Sequence, residues 1–279
     1  MHSAKLTIAK ILTVFIVACG LQSQVWAQEN SPYSRYGLGD LTPNHNILNR
    51  GMGGIAAAIA DSRSLNFTNP ASLGTVFNTI FDVGADIDYR ILKSSNPAKK
   101  FTSANTYVSY LQMAFPLTTP KMAKKKIFWG MSLGIKPVTN INYKIQTEER
   151  ITGIDSIQTL YEGSGGINQA FFGTGFKIKN FSIGINGGYM FGAKNNSTIV
   201  TFINDSVYYY TSNSANKTSI NGLFINAGMQ YDIAIAKDEK GNVTQNLKLG
   251  VYGNMQQNLH AKSDKIRETI LYNQNGDFV

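Results

Sequence analysis

Ile80-Phe81-Asp82-Val83-Gly84-Ala85-Asp86-Ile87-Asp88-Tyr89-Arg90 alternates with period two. Phe81, Val83, Ala85, Ile87 and Tyr89 share one side, and Asp82, Gly84, Asp86 and Asp88 share the other. Successive side chains of a strand point to opposite faces, so this segment sits between two unlike media. One such strand would suit any sandwich. The pattern recurs, however, at 79–90, 106–116, 127–147, 167–178, 181–203, 207–236 (interrupted around 212–219) and 245–262, and a last piece at 268–272 would start another strand. Behind an export signal, on a basic and cysteine-poor chain, the repetition predicts an all-β fold. That fold is a transmembrane antiparallel β-barrel with lipid outside and water inside.

The export signal is read from residues 1–27. His2, Lys5 and Lys10 precede an apolar run from Ile11 to Ala18, and Val25-Trp26-Ala27 supplies a small-residue cleavage site. The apolar core is too short to span a bilayer as a helix. A lipoprotein signal, with Ile16-Val17-Ala18 leading to acylation of Cys19, is the competing reading. Cleavage after Ala27 leaves no cysteine, hence neither disulfides nor a thiolate metal site. The net charge of +9 loses Lys5 and Lys10 and becomes +7. Export argues against nucleic acid as the partner of this charge, and anionic lipid head groups are the simpler one.

Residues 28–78 form a different region, rich in Gly, Asn, Pro and Ala, with a helix expected at 54–60. The strands occupy 79–279. Their connectors alternate: 92–105, 148–166 and the hairpin tip at Asn204-Asp205 are long or tall, whereas 118–126, Lys179-Asn180 and 237–244 are short and polar. Outer-membrane barrels have short periplasmic turns and longer outer loops. Aromatic residues at Phe128-Trp129, Phe171-Phe172 and Tyr208-Tyr209-Tyr210 suit interfacial girdles. The chain stops at Asn275-Gly276-Asp277-Phe278-Val279, a turn-like sequence and not a closing strand. The barrel is therefore expected to be incomplete at its C-terminal end.

Before the first strand, an ordered series runs through Ser31-Pro32-Tyr33-Ser34-Arg35-Tyr36-Gly37-Leu38-Gly39-Asp40, Arg50-Gly51-Met52-Gly53-Gly54, Ala60-Asp61 and Asn69-Pro70-Ala71-Ser72-Leu73. It resembles the N-terminal segment of the FadL/TodX outer-membrane family, transporters of long-chain fatty acids and aromatic hydrocarbons. The resemblance implies a hatch that plugs a 14-stranded barrel, with Gly51, Gly53, Gly54, Asp61, Asn69, Pro70 and Ala71 belonging to it. Glycines let backbone pack closely in a narrow lumen, and a residue before proline is held extended. A barrel of that kind needs about 400 residues at about 10 per strand plus turns, loops and plug, so this chain reads as short by about six strands.

Two motifs suggest other chemistry. Gly130-Met131-Ser132-Leu133-Gly134 fits the Gly-x-Ser-x-Gly nucleophile elbow. It lies inside an alternating stretch, with Trp129, Met131, Leu133 and Ile135 on the apolar side and Ser132 on the polar one, and only His45 and His260 remain as bases. Gly51-Met52-Gly53-Gly54-Ile55-Ala56 fits a dinucleotide fingerprint loosely, but no hydrophobic strand precedes it. Lys121, Lys124, Lys125 and Lys126 form a basic cluster that either meets anionic groups at the inner leaflet or is a solvated turn.

The function expected from the sequence is passive uptake of hydrophobic small molecules across an outer membrane, without catalysis, cofactor or metal. Phe171, Phe172, Tyr208 and Tyr210 are the candidate ligand-facing residues. The partners expected are outer-membrane lipid and a hydrophobic ligand, and not nucleic acid. The alternative is a non-transporting barrel that serves as scaffold or partner in protein secretion or surface attachment. A soluble exported β-protein is a further one.

Overall fold

The computed structural model describes residues 31–95, 98–150, 152–153, 155–203, 209–238 and 243–270. The expected leader at 1–27, Cys19, the tip at 204–205, Tyr208 and residues 271–279 lie outside these. Among the described residues nine strands form one sheet: β1 (Asp40–Leu41), β2 (Ile80–Ser95), β3 (Ala98–Pro116), β4 (Ile127–Arg150), β5 (Ser156–Ile178), β6 (Phe181–Ile203), β7 (Thr211–Lys237), β8 (Val243–Asn254) and β9 (His260–Ile270). The fold is all-β, an antiparallel sheet curled as a half-barrel. Among the described residues no helix is long and apolar enough to cross a membrane.

The described residues divide into two compact units, one within 87–106 and the other within 31–86 and 107–270. In the first, Ile87 and Tyr89 of β2 are exposed, and Arg90 pairs with Asp88 across 2.5 Å. The second holds the N-terminal segment and most of the wall. Its strands β4, β5, β6 and β7 pair in chain order along almost their whole lengths. The tight turn expected at Lys179-Asn180 joins β5 to β6, with Lys179 at φ 54°.

In this second unit the two faces of the wall differ in kind. One carries Leu111, Leu133, Ile135, Phe172, Ile183, Ile185, Leu223, Ile225, Met229, Tyr231, Leu249 and Val251, all exposed. The other carries Gln112, Ser132, Lys136, Ser182, Asn186, Asn226 and Gln230, all buried. That is a soluble protein turned inside out. Apolar surface leaves water with a gain of about 25 cal/mol per Å², and a continuous apolar outer band with a polar interior is the signature of a wall in lipid. Leu223, 72% exposed, sits squarely in the band. Leu223→Arg should destabilise the protein in liposomes by about 2–4 kcal/mol, the cost of arginine near the bilayer midplane. Denaturant unfolding of the liposome-inserted protein measures this, and a neutral result would place Leu223 outside the hydrocarbon.

Three stretches of the wall depart from the sequence expectation. The connection expected at 148–166 is a tall hairpin, because β4 runs to Arg150 and β5 begins at Ser156. Strand β7 continues unbroken through 212–219, paired with β6 on one side and β9 on the other. The expected strand at 245–262 is instead two pieces: β8 flanks the lower part of β7 up to Asn226↔Asn254, and β9 resumes beside it at Asn221↔His260. Of the piece expected at 268–272, residues 268–270 belong to β9, and 271–272 lie outside the described residues. Strands of 23 to 27 residues far exceed the 9–11 that cross hydrocarbon, so their upper parts stand in water on both faces.

The N-terminal segment lies against the polar face. It contains 3₁₀ turns at Pro32–Arg35 and Pro70–Thr75 and one short helix, α1 (Ile47–Gly51). The helix expected at 54–60 is absent there. Asn46 caps α1 by accepting from the Asn49 N–H, and Gly53 and Gly54, at φ +75° and +81°, turn the chain out of the helix before residue 55. A second helix, α2 (Pro120–Lys124), interrupts the β3–β4 connector. Strand β1 is also part of the wall. β4 pairs with β3 from Leu111↔Ile135 to Pro116↔Gly130, and further along the same strand Asp40↔Asn140 and Leu41↔Thr139 pair it with the plug.

Candidate functional site

Four glycines stand in one register across the wall. Gly130 of β4 pairs with Gly175 of β5, Gly175 with Gly184 of β6, and Gly184 with Gly228 of β7. Together they make a side-chain-free groove running across the strands, and the 3₁₀ turn Pro70–Thr75 with Asn69 lies in it. A Cβ built on Gly130 would meet the carbonyl of Leu73. Those on Gly175 and Gly184 would meet that of Pro70, and one on Gly228 would meet Oδ1 of Asn69. All four contacts fall inside the 3.0 Å that real Cβ atoms keep. Gly250 of β8 gives the same clearance to the Ala57 carbonyl. At Gly130, Gly175, Gly184 and Gly250 glycine makes space between two backbones, and at Gly228 it makes space for the Asn69 side chain.

Hydrogen bonds fasten what the glycines admit. Residues 65–69 make no regular secondary structure, so their carbonyls need partners elsewhere. Wall carboxamides provide them. Gln112 donates to Leu65 O at 2.9 Å, Asn186 to Phe67 O at 3.0 Å and Asn226 to Thr68 O at 3.0 Å. Gln230 donates to Ala57 O at 3.0 Å and Ile59 O at 3.2 Å. Within the plug, Asn66 donates to Ala56 O and Ile59 O, and Ser72 Oγ donates to Asn66 O. Asn69, with no exposed surface, is the junction. Its Nδ2 donates to Ala57 O at 2.6 Å and reaches Met229 O and Val251 O at 3.4 Å, while its Oδ1 accepts the Ala71 N–H.

Charged groups close one flank. Asp82 accepts from Leu65 N, Tyr110 Oη and Gln112 Nε2, and Asp86 pairs with Arg50 and accepts from Ser109 Oγ. His45 lies beside Thr68, 3.4 Å from its hydroxyl. Burial, and then the nearby Lys136 and Arg50 cations, lower the His45 pKa from its ordinary value, so the neutral ring is favoured there. Apolar packing is modest: Leu65, Leu73, Val76, Ile80 and Ala114 form one small cluster, and Phe67, Tyr110, Phe171 and Phe224 another.

The sequence-derived residues separate on this map. Asn69, Pro70 and Ala71 lie at the glycine groove and are fully buried. Gly53 and Gly54 end α1, Gly51 is exposed, and Asp61 makes a local turn by accepting from the Arg63 N–H. Phe171 points inward at 5% exposure with its ring 6.2 Å from that of Phe67, whereas its neighbour Phe172 lies on the outer face at 51%. Tyr210 is exposed near the end of the β6–β7 connection, and Tyr208 lies outside the described residues. Phe171 and Phe172 thus lie on opposite faces of the wall. Ser132 sits in mid-strand, paired with Ala114 and Gly173, so the strand-to-helix turn of a nucleophile elbow is not formed at this motif. Its first glycine, Gly130, seats the plug.

The sequence reading missed the glycine row and the wall carboxamides. Part of the signal was present. Counting outward from Lys179-Asn180 pairs Ile178 with Phe181 and therefore Gly175 with Gly184. Gly130 and Gly228 join that pair only through the registers of longer connections.

No curated protein and no solved structure matches this chain. A family does: BamG, over residues 7–279. This overturns the FadL/TodX resemblance. Of the residues that carried the resemblance, Asn69, Pro70 and Ala71 meet the glycine groove, whereas Gly53, Gly54 and Asp61 serve local turns, and such short motifs do not separate one family from another. The match makes this an outer-membrane-associated protein related to β-barrel assembly. The chain belongs to the BamG family.

Proposed function

We propose that this protein serves the outer-membrane β-barrel assembly machinery as a non-catalytic scaffold, embedded in lipid through its wall and held in shape by its plug. The observation that carries the reading is the family match across nearly the whole chain. The geometry supports it in two ways. The plug is bound to the wall through backbone carbonyls and buried carboxamides, an arrangement suited to a rigid body. The strands β4 to β7 rise well beyond the hydrocarbon and present tall, polar hairpins to the aqueous side, where a partner of the machinery would dock. Uptake of hydrophobic small molecules, the first expectation from sequence, gains no support from the family.

Depletion in the native host tests the proposal. Several unrelated outer-membrane barrels should fall together, with their unfolded forms accumulating in the periplasm, and an affinity-tagged chain should retain assembly components after mild crosslinking. Normal barrel assembly on depletion, with loss of growth on a hydrophobic carbon source, would instead restore the uptake reading.

A further inference from the structure

We propose that the cavity beside Lys136 is a binding site for a small monocarboxylate carrying an apolar body, a property that goes beyond the assembly role and does not depend on it. The cavity measures about 290 Å³, close to the lower end of ligand pockets. It lies between the wall and the plug residues Leu41, Thr42, Asn44 and Phe67. Lys136 lines it at 7% exposure. Its ammonium donates to the side-chain oxygen of Asn44 and lies 4.8 Å from the centre of the Phe67 ring. Among the described residues no carboxylate pairs with it.

A buried ammonium has three donors and carries a heavy desolvation cost unless a counter-charge answers it. One amide oxygen and the face of one ring answer part of it, leaving donors for an anion. The remaining lining says what else the anion carries. Phe171, Phe224 and Met190 continue the apolar floor begun by Phe67, which suits an apolar body. A single cation matches one negative charge, so a carboxylate fits better than a phosphate dianion.

The test titrates the full chain, in nanodiscs of zwitterionic phosphatidylcholine, with 4-phenylbutyrate, 4-phenylbutanol and 4-phenylbutylamine by calorimetry. The acid should bind at least about tenfold tighter than the alcohol, equivalent to about 1.4 kcal/mol, and the amine should not bind. Lys136→Met should bring the acid down to the alcohol's affinity, whereas Lys136→Arg should keep the preference. Because Lys136→Met also removes the bond to Asn44, a readout on the unaltered chain is included. The ¹³C-methyl resonance of Met190, assigned through Met190→Leu, should move with the acid and stay still with the amine. Equal affinity for acid and alcohol, binding of none of the three, or a preference that survives Lys136→Met would overturn the site. None of these outcomes touches the assembly proposal, which is read by depletion.

Discussion

Gly184→Val unseats the plug. The added Cβ lands on the carbonyl carbon and oxygen of Pro70 and the nitrogen of Ala71, all backbone atoms, so no rotamer change on the plug makes room. Overpacking a core typically costs 1–3 kcal/mol, and a clash of backbone against a strand held on both sides should reach about 3 kcal/mol or more. The wall itself should survive, because β6 keeps its pairing to β5 and β7 whatever the side chain. The expected phenotype is thus selective. Heat-modifiable migration is retained with a lower transition temperature, and trypsin cuts faster after Arg50, whose side chain is held by Asp86 in the seated plug. Gly187→Ala, on the same strand, is the control. Its nearest atom is the Phe224 carbonyl at an ordinary 3.7 Å, so it should be neutral or stabilising by about 0.5 kcal/mol. Ala71→Gly should not rescue Gly184→Val, since the obstacle is main chain. Equal behaviour of the valine and alanine variants would mean that the plug does not lie in the groove.

The half of the fold that sits in lipid was legible, and the half that does not was not. Phe81 to Tyr89, Trp129 to Ile135 and Phe181 to Tyr189 alternate because their two faces meet different media, and a period of two follows from that difference alone. Ser212 to Ser219 meets water on both sides, so the alternation vanishes although the ladder to β6 and β9 continues. The same holds for Ser156 to Gly166, read as loop and found as strand. The helix was misplaced by a few residues, because the alanines of 54–60 favour helix and the left-handed Gly53 and Gly54 prevent one from crossing into them. The site was harder still. Its chief feature is an absence of side chains at Gly130, Gly175, Gly184 and Gly228, positions far apart in the chain except for the middle two, and absence has no pattern until register supplies it. Lys136 likewise reads as an ordinary lysine in sequence; only folding places Phe67 and Asn44 around it.

Asn69→Asp should convert the plug into a pH-dependent element. One oxygen of the new side chain keeps the Ala71 N–H, but the other replaces Nδ2 and faces the carbonyl oxygens of Ala57, Met229 and Val251. As a carboxylate it meets acceptors alone, in a position with no exposed surface. An uncompensated buried charge costs about 3–5 kcal/mol. Protonated, the same group donates to Ala57 O much as the amide did. The introduced carboxyl is therefore more easily protonated in the folded state, with a pKa above its unfolded value of about 3.9. The sign follows: relative to the unaltered chain, the variant is nearly as stable below about pH 4, and the deficit grows as pH rises through the raised folded value. Asn69→Ala provides the contrast. It loses the cap and the bond to Ala57 at every pH, by about 1–2 kcal/mol, with no added charge. Unfolding of the three proteins at pH 4 and pH 8, compared as differences between variants, separates the cases. A deficit for Asn69→Asp that is the same at both pH values would show that Nδ2 is not the group holding plug to wall.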